Sequence, residues 1–74
     1  MISIGQQITV QINGEPRTFT VPVSLLTVLR ELDLAERRGI AIAIDGAVVP
    51  RTQWPARELA EGERVLVIQA TQGG

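Results

Sequence analysis

The sequence contains no cysteine and no histidine, and these two absences limit what its side chains can do chemically. Without them the chain cannot form a disulfide, a thiolate nucleophile or a zinc site of the usual kind, and it lacks the commonest general base. We therefore predict that the protein is not an enzyme in its own right and holds no metal.

Lysine is also missing, so all seven basic residues are arginines. Genomic base composition accounts for such a bias, but it has a chemical consequence: no side-chain amine is present through which the protein could be attached to a copy of itself. The net charge of -1 argues against a generic polyanion-binding surface, so we expect no nucleic-acid partner.

Long apolar runs and the basic flank of an export signal are absent as well, which predicts a cytoplasmic protein with no membrane partner. The 74 residues, 45% hydrophobic and 20% charged, suit one globular domain that spans 1–74.

The first patterned stretch predicts a β-hairpin. Apolar and polar residues alternate over 8–12 and again over 17–21. Between them, Asn13-Gly14 is the dipeptide that a two-residue turn with positive φ prefers.

A helix is predicted next. Pro22 ends the hairpin and Ser24 stands where an N-cap is needed. Apolar residues then recur at helical spacing: Leu25, Val28, Leu29 and Leu32. We expect the helix to end between Asp33 and Arg38, with Gly39 as a left-handed stop.

Two further strands are predicted, with isoleucines on one face of 40–44 and small alanines on the other. Asp45-Gly46 is a second hairpin turn, and Pro50 confines the short strand at 48–49 to an edge or an end.

The loop that follows contains the only tryptophan. Trp54 is either a lid packed over the end of the core or a platform for a ligand. We expect 56–60 to form one helical turn that carries Leu59 inward, and 61–63 to form a polar turn.

The last strand, 65–70, is apolar at almost every position, which indicates a central strand. So short a chain has no second layer with which to cover the outer side of this strand. We therefore expect an exposed apolar docking surface for a partner. Its predicted members are Leu66, Ile68, Ala41 and Ala43.

The tail 71–74 ends in Gly73-Gly74, and glycine makes it thin and mobile enough to enter a narrow channel. We predict that the carboxyl group of Gly74 is the reactive group and that Gly73 and Gln72 thread through the channel. The alternative is that small residues collect at fraying termini without a functional reason.

The order of these elements looks like the ubiquitin-like β-grasp fold, an α+β fold in which a mixed four- to five-stranded sheet packs on one main helix. Several motifs together resemble the ThiS sulfur-carrier family of thiamin biosynthesis. They are Asn13-Gly14-Glu15-Pro16, the stretches 27–32 and 42–51, Trp54, Leu59, Glu61-Gly62-Glu63 and Gly73-Gly74. The Val-Pro-Arg-x-x-Trp segment at 49–54 is the most specific of these.

The resemblance implies a carrier that is a monomer when free and binds no cofactor itself. A ThiF-like adenylyltransferase would use ATP and magnesium to adenylate Gly74. A persulfide sulfur from a cysteine desulfurase would then convert Gly74 to a thiocarboxylate. A ThiG-like thiazole synthase would take that sulfur into the thiazole ring.

The chain departs from the family pattern at two places. Family members often have glycine or alanine where this chain has Gln72, and the leader 1–7 is longer than usual. Other functions are compatible with the same tail: a ubiquitin-like protein modifier, a sulfur carrier for molybdopterin or tRNA thiolation, or an interaction module whose tail is inert.

Overall fold

A computed structural model describes residues 5–69, and these form a five-stranded mixed sheet with one α-helix on its inner face. The strands occur in the order β2-β1-β5-β3-β4. In chain order the elements are β1 (Gln7–Ile12), β2 (Glu15–Thr20), α1 (Leu25–Glu31), β3 (Ile40–Ile44), β4 (Ala47–Val49), a short 3-10 helix (Arg51–Gln53) and β5 (Arg64–Gln69).

Both predicted hairpins are present, and each turns at a pair of residues in the left-handed region. Asn13 and Gly14 have φ values of 52° and 86° between β1 and β2. Asp45 and Gly46 repeat this geometry at 49° and 87° between β3 and β4. The predicted turn chemistry is confirmed, because asparagine, aspartate and glycine tolerate positive φ best.

Helix α1 begins as predicted. Ser24 has extended backbone angles, and its hydroxyl oxygen accepts a hydrogen bond from the Thr27 backbone N–H at 3.1 Å. This bond satisfies one of the four N–H groups that the first turn of a helix leaves free. No helix within residues 5–69 is long and apolar enough to cross a bilayer.

The predicted end of α1 was wrong, because the helix stops at Glu31 and Asp33 takes the left-handed position with φ 61°. The Leu34 N–H donates to the Leu29 carbonyl at 2.7 Å, and the Asp33 N–H donates to Arg30 at 3.0 Å. This pair of bonds is a Schellman motif, which usually has glycine where this chain has aspartate. Because the residue at this position is aspartate and not glycine, the sequence did not indicate that the helix ends here.

The core lies between α1 and the inner face of the sheet. Its buried apolar residues come from every strand except β2: Ile8, Val10, Ile12, Val23, Leu25, Val28, Leu29, Ile42, Ile44, Val49, Trp54, Leu59 and Val65. Trp54 is 2% exposed, and its Nε1–H donates to the Val49 carbonyl at 3.0 Å. The ring is therefore part of the core, which confirms the first of the two alternatives for this residue.

The predicted helical turn at 56–60 was wrong, although Leu59 is buried as expected. Ala56 ends the preceding turn, and residues 57–59 pair with the residues before α1 through an antiparallel bridge between Glu58 and Ser24. The Leu59 N–H donates to the Val23 carbonyl at 3.0 Å, and the Leu25 N–H donates to Arg57 at 2.7 Å. Because these long-range bonds occupy the backbone groups, a local helical turn cannot form.

Candidate functional site

Strand β5 is the middle strand of the sheet, as its apolar sequence predicted. It runs antiparallel to β3 from Val65 opposite Ile44 to Gln69 opposite Ile40. In sequence, the tail 71–74 begins two residues after the end of β5. The predicted tail residues Gln72, Gly73 and Gly74 lie outside the described residues.

Opposite the core, the outer face of the sheet carries exposed aliphatic side chains. Leu66 and Ile68 are 50% and 47% exposed, whereas Val65 between β1 and β3 faces inward at 2%. Ala41 lies directly across from Ile68 and is also exposed. The structure therefore brings together three of the four residues that the sequence proposed for docking.

Ala43 differs from this expectation, because it is 7% exposed and counts among the buried residues. It lies between Leu66 on β5 and Val48 on β4, which are its direct cross-strand neighbours. Its methyl group is smaller than the side chains on either side, so Ala43 lies at the base of the patch and is screened from solvent.

Val48 is a member of the patch that sequence reasoning missed, and at 71% it is the most exposed large apolar residue described. The available signal was the alternation within β4. Val49 is buried, so its neighbour Val48 must point to the opposite face. We call the exposed group Ala41, Val48, Leu66 and Ile68 the apolar patch.

The rest of the outer face is polar but nearly uncharged. Its outward-facing positions on β1 and β2 are Gln7, Thr9, Gln11, Pro16, Thr18 and Thr20. Arg64, at the start of β5, is the one charged residue at an outward-facing strand position of residues 5–69. Depletion of charge is typical of the core of an interface.

An open groove of about 630 Å³ adjoins the apolar patch at Leu66. Its walls are the two hairpin turns, and its floor is the first part of β5. The Arg64 backbone N–H donates to Asp45 Oδ1 at 3.0 Å, and the Val67 N–H donates to Asn13 Oδ1 at 2.8 Å. Both turns are therefore tied to β5 by side chains as well as by the sheet.

The Val-Pro-Arg-x-x-Trp segment lies away from the apolar patch and holds neighbouring parts of the chain together. The Arg51 guanidinium lies 4.5 Å from the centre of the Trp54 ring. It also donates to the carbonyls of Ala35 at 3.0 Å and Arg37 at 3.2 Å. This most specific segment of the sequence therefore anchors the loop after α1 to the core.

An ion pair between Arg57 and Glu63 fixes the turn before β5. Arg57 Nη2 lies 2.6 Å from Glu63 Oε2, and the other oxygen of Glu63 accepts from the Ala60 N–H at 2.8 Å. On the far side of the turn, Glu61 Oε1 accepts from the Thr9 N–H at 3.0 Å. Residues 5–69 hold no group of three acidic side chains that could bind a metal ion. These carboxylates serve the fold.

Comparison with known proteins gives one consistent family. The sequence model of the ThiS family matches residues 10–74. The uncharacterized protein ycf40 of Porphyra purpurea is 34% identical over 71 residues, which are 96% of this chain and 99% of that protein. The sulfur carrier protein ThiS of Escherichia coli (strain K12) is 37% identical over 46 residues, 62% of this chain and 68% of that protein.

Solved structures agree on the fold. The crystal structure of the thiamine biosynthesis protein ThiS from Geobacter metallireducens superposes with a TM-score of 0.75. The match covers 90% of this chain and 100% of that one, at 22% sequence identity. The predicted β-grasp architecture is therefore confirmed.

Proposed function

The chain belongs to the ThiS family, and from this premise we propose that it is a sulfur carrier of thiamin biosynthesis whose sulfur is held at Gly74. The observation that carries the proposal is the course of the chain. In sequence, the central strand β5 is followed within five residues by Gly73-Gly74, and the family match extends through Gly74.

The proposed chemistry begins at the Gly74 carboxylate, which is a poor electrophile. An adenylyltransferase similar to ThiF transfers AMP from Mg-ATP to this carboxylate, and pyrophosphate leaves. The terminal sulfur of a persulfide, supplied through a cysteine desulfurase, attacks the activated carbonyl and displaces AMP. A thiol then cleaves the S–S bond of the acyl disulfide, and a thiocarboxylate remains on Gly74.

In the second half of the proposed cycle, a thiazole synthase similar to ThiG receives the sulfur. The thiocarboxylate donates it to the forming thiazole ring and returns to a carboxylate. The chain itself supplies no catalytic side chain to either half. Because it has no cysteine, no thiol of its own competes for the persulfide. Gly73 keeps the tail narrow beside the reacting group, while Gln72 is the bulkiest residue that must pass through the channel.

We assign partner docking to the apolar patch. Leu66 and Ile68 expose about half of their surface on a face that no described residue covers. They lie on β5, the strand that precedes the tail in sequence, so an enzyme that docks there has Gly74 within reach. Complete burial of an exposed aliphatic side chain contributes about 1.5–3 kcal/mol, so covering the exposed half of Leu66 or Ile68 contributes about half as much.

The proposal is tested by incubating the protein with its activating enzyme, Mg-ATP, a desulfurase and cysteine. The intact mass should rise by the difference between one sulfur and one oxygen atom. A variant that lacks Gly74 is the matched control and should show no change. An unchanged mass of the wild-type protein would refute the sulfur-carrier function.

The destination of the sulfur needs a separate measurement. Deletion of the gene should make the cell require thiamin, and the requirement should be relieved by the thiazole precursor. If the deletion strain instead lacks molybdopterin or thiolated tRNA, the sulfur acceptor belongs to that pathway. Conjugates of higher mass that survive reductant would indicate a protein modifier.

A further inference from the structure

One side of β5 loses its neighbouring strand halfway along. Parallel pairing with β1 ends where Ile12 faces Val65, because the chain turns back at once through Asn13 and Gly14. On its other side, β5 remains paired with β3 as far as Gln69. The second half of the central strand is therefore a sheet edge, and it lies immediately before the tail.

The side chain of Asn13 fills the first position of this edge. The Asn13 N–H donates to the Val65 carbonyl at 2.9 Å, which is the last backbone bond between the two strands. The Val67 N–H then donates to Asn13 Oδ1 at 2.8 Å, so a side-chain oxygen replaces the missing strand carbonyl. A regular parallel ladder would use a backbone carbonyl there.

Beyond Asn13 the edge is free. Backbone groups of alternate residues in a strand point to the same side, so the Val67 carbonyl and the Gln69 N–H point the same way as the Val67 N–H. Within residues 5–69, neither of these two groups has a hydrogen-bond partner. Such a row of backbone groups is a template for a further strand.

We propose that the edge from Val67 to Gln69 binds an extended segment of the enzyme that activates Gly74, which adds to the sheet as a strand beside β5. This inference rests on the function proposed above. The five residues after Gln69 span at most about 17 Å, so an enzyme that acts on Gly74 must lie against the end of β5. The free edge is therefore inside its footprint.

The added strand has two consequences for the complex. It continues the sheet past Asn13 and keeps β5 extended where the tail begins. It also lies next to the outward-facing side chains of Leu66 and Ile68, so the free edge and the apolar patch form one continuous surface. Because recognition at the edge uses backbone groups, it depends on the Gln69 N–H and little on the Gln69 side chain.

The test compares proline at two strand edges. Gln69→Pro removes the N–H from the proposed binding edge and places a ring in the path of the added strand. Thr18→Pro is the matched control on the opposite edge of the sheet. The Thr18 N–H points to solvent, in the same direction as the position of Pro16 two residues earlier, where β2 already accepts proline. Gln69→Val controls for the loss of the side chain.

Binding to the purified activating enzyme is measured calorimetrically without ATP, so the comparison does not depend on sulfur transfer. We expect Gln69→Pro to raise Kd at least about tenfold, and Thr18→Pro and Gln69→Val to stay within about twofold of wild type. Equal affinities of Gln69→Pro and Thr18→Pro would overturn the proposal, whether or not the wild-type protein gains sulfur.

If Gln69→Pro lowers the thermal midpoint, a semisynthetic protein with an ester in place of the Gln69 amide decides the matter. It lacks the same N–H but has no proline ring. A tenfold weaker complex supports the added strand, and unchanged affinity refutes it. A wild-type protein that sediments as a dimer, and becomes a monomer on Gln69→Pro, would assign the edge to a second copy and also overturn the proposal.

Discussion

The two faces of β5 are equally apolar in sequence and differ in what covers them. Val65 faces α1 and is 2% exposed, whereas its neighbour Leu66 faces outward and is 50% exposed. Alternation along a strand makes this difference inevitable once a helix covers one side only. Hydrophobicity alone therefore does not separate buried from exposed strand positions in this fold. The difference depends instead on whether the chain can build a layer that covers that side of the sheet.

The comparison also holds for charge. The inner face is closed by α1 and Trp54 and contains no buried charged residue among those described. Among the strand residues that the structure describes, Arg64 is the one charged residue on the outer face, although charged residues make up 20% of the chain. A solvated sheet face normally carries more charge than this. Low charge on an exposed face therefore indicates a surface that a partner covers. Low charge in the core carries no such information, because burial alone explains it.

The largest expected effect comes from a charge on the inner face. Val65→Asp places a carboxylate in the apolar core, between its cross-strand neighbours Ile12 and Ile44 and without a partner, which costs several kcal/mol. A domain of this size has a free energy of unfolding on the order of 5 kcal/mol. We expect the variant to be largely unfolded by circular dichroism at room temperature. A cooperative thermal transition close to that of wild type would mean that Val65 is not core.

The same substitution one residue later should act on binding. Leu66→Asp is expected to change the free energy of unfolding by less than about 1 kcal/mol, because Leu66 is half exposed in the free protein. Its Kd for the activating enzyme should rise at least about tenfold, since a charge then faces an apolar partner surface. Thr18→Asp, on the polar part of the same face, is the control and should bind as wild type does. Loss of the fold in Leu66→Asp would contradict this assignment.

A smaller effect on stability is expected at the C-terminal end of α1, the helix that covers the inner face of the sheet. Asp33→Gly removes the strain of positive φ and a negative charge at the helix C-terminus, so it should raise the free energy of unfolding by about 0.5–1 kcal/mol. Asp33→Asn is the matched variant that removes only the charge. Urea unfolding separates the two contributions. If Asp33→Gly is less stable than wild type, the aspartate makes a contact that outweighs its backbone strain.

The smallest expected effect is at the rim of the apolar patch. Val48→Thr preserves the shape of a β-branched side chain and exchanges one methyl group for a hydroxyl. Because Val48 is 71% exposed, the free energy of unfolding should change by less than about 0.5 kcal/mol. The Kd for the activating enzyme should rise about two- to threefold. An affinity equal to wild type would place Val48 outside the interface.

Much of the fold could be predicted from the sequence because local chemistry determines it. Asn13-Gly14 and Asp45-Gly46 adopt the turns that their residue types favour, and Ser24 caps α1. The exposure of Leu66 and Ile68 followed from counting layers. For the two turns and the cap, the information lies within a few residues along the chain.

The features that could not be predicted depend on distant partners. The extended backbone of 57–59 is determined by residues before α1, and the burial of Ala43 by its neighbours Leu66 and Val48. The hydrogen bond from Val67 to Asn13 joins residues 54 positions apart. Asp33 is a different case, because its left-handed conformation is uncommon for a residue other than glycine.

The contacts of Arg51 with Trp54 and with the loop after α1 have a practical consequence for labelling this protein, which has no lysine. A planar guanidinium can stack on Trp54 and still donate in its own plane to two carbonyls, whereas a lysine ammonium cannot do both. A lysine introduced for attachment of a dye should therefore replace Arg17, Arg30 or Arg38, all of which are exposed. At position 51 the same exchange would detach the loop after α1 from the core.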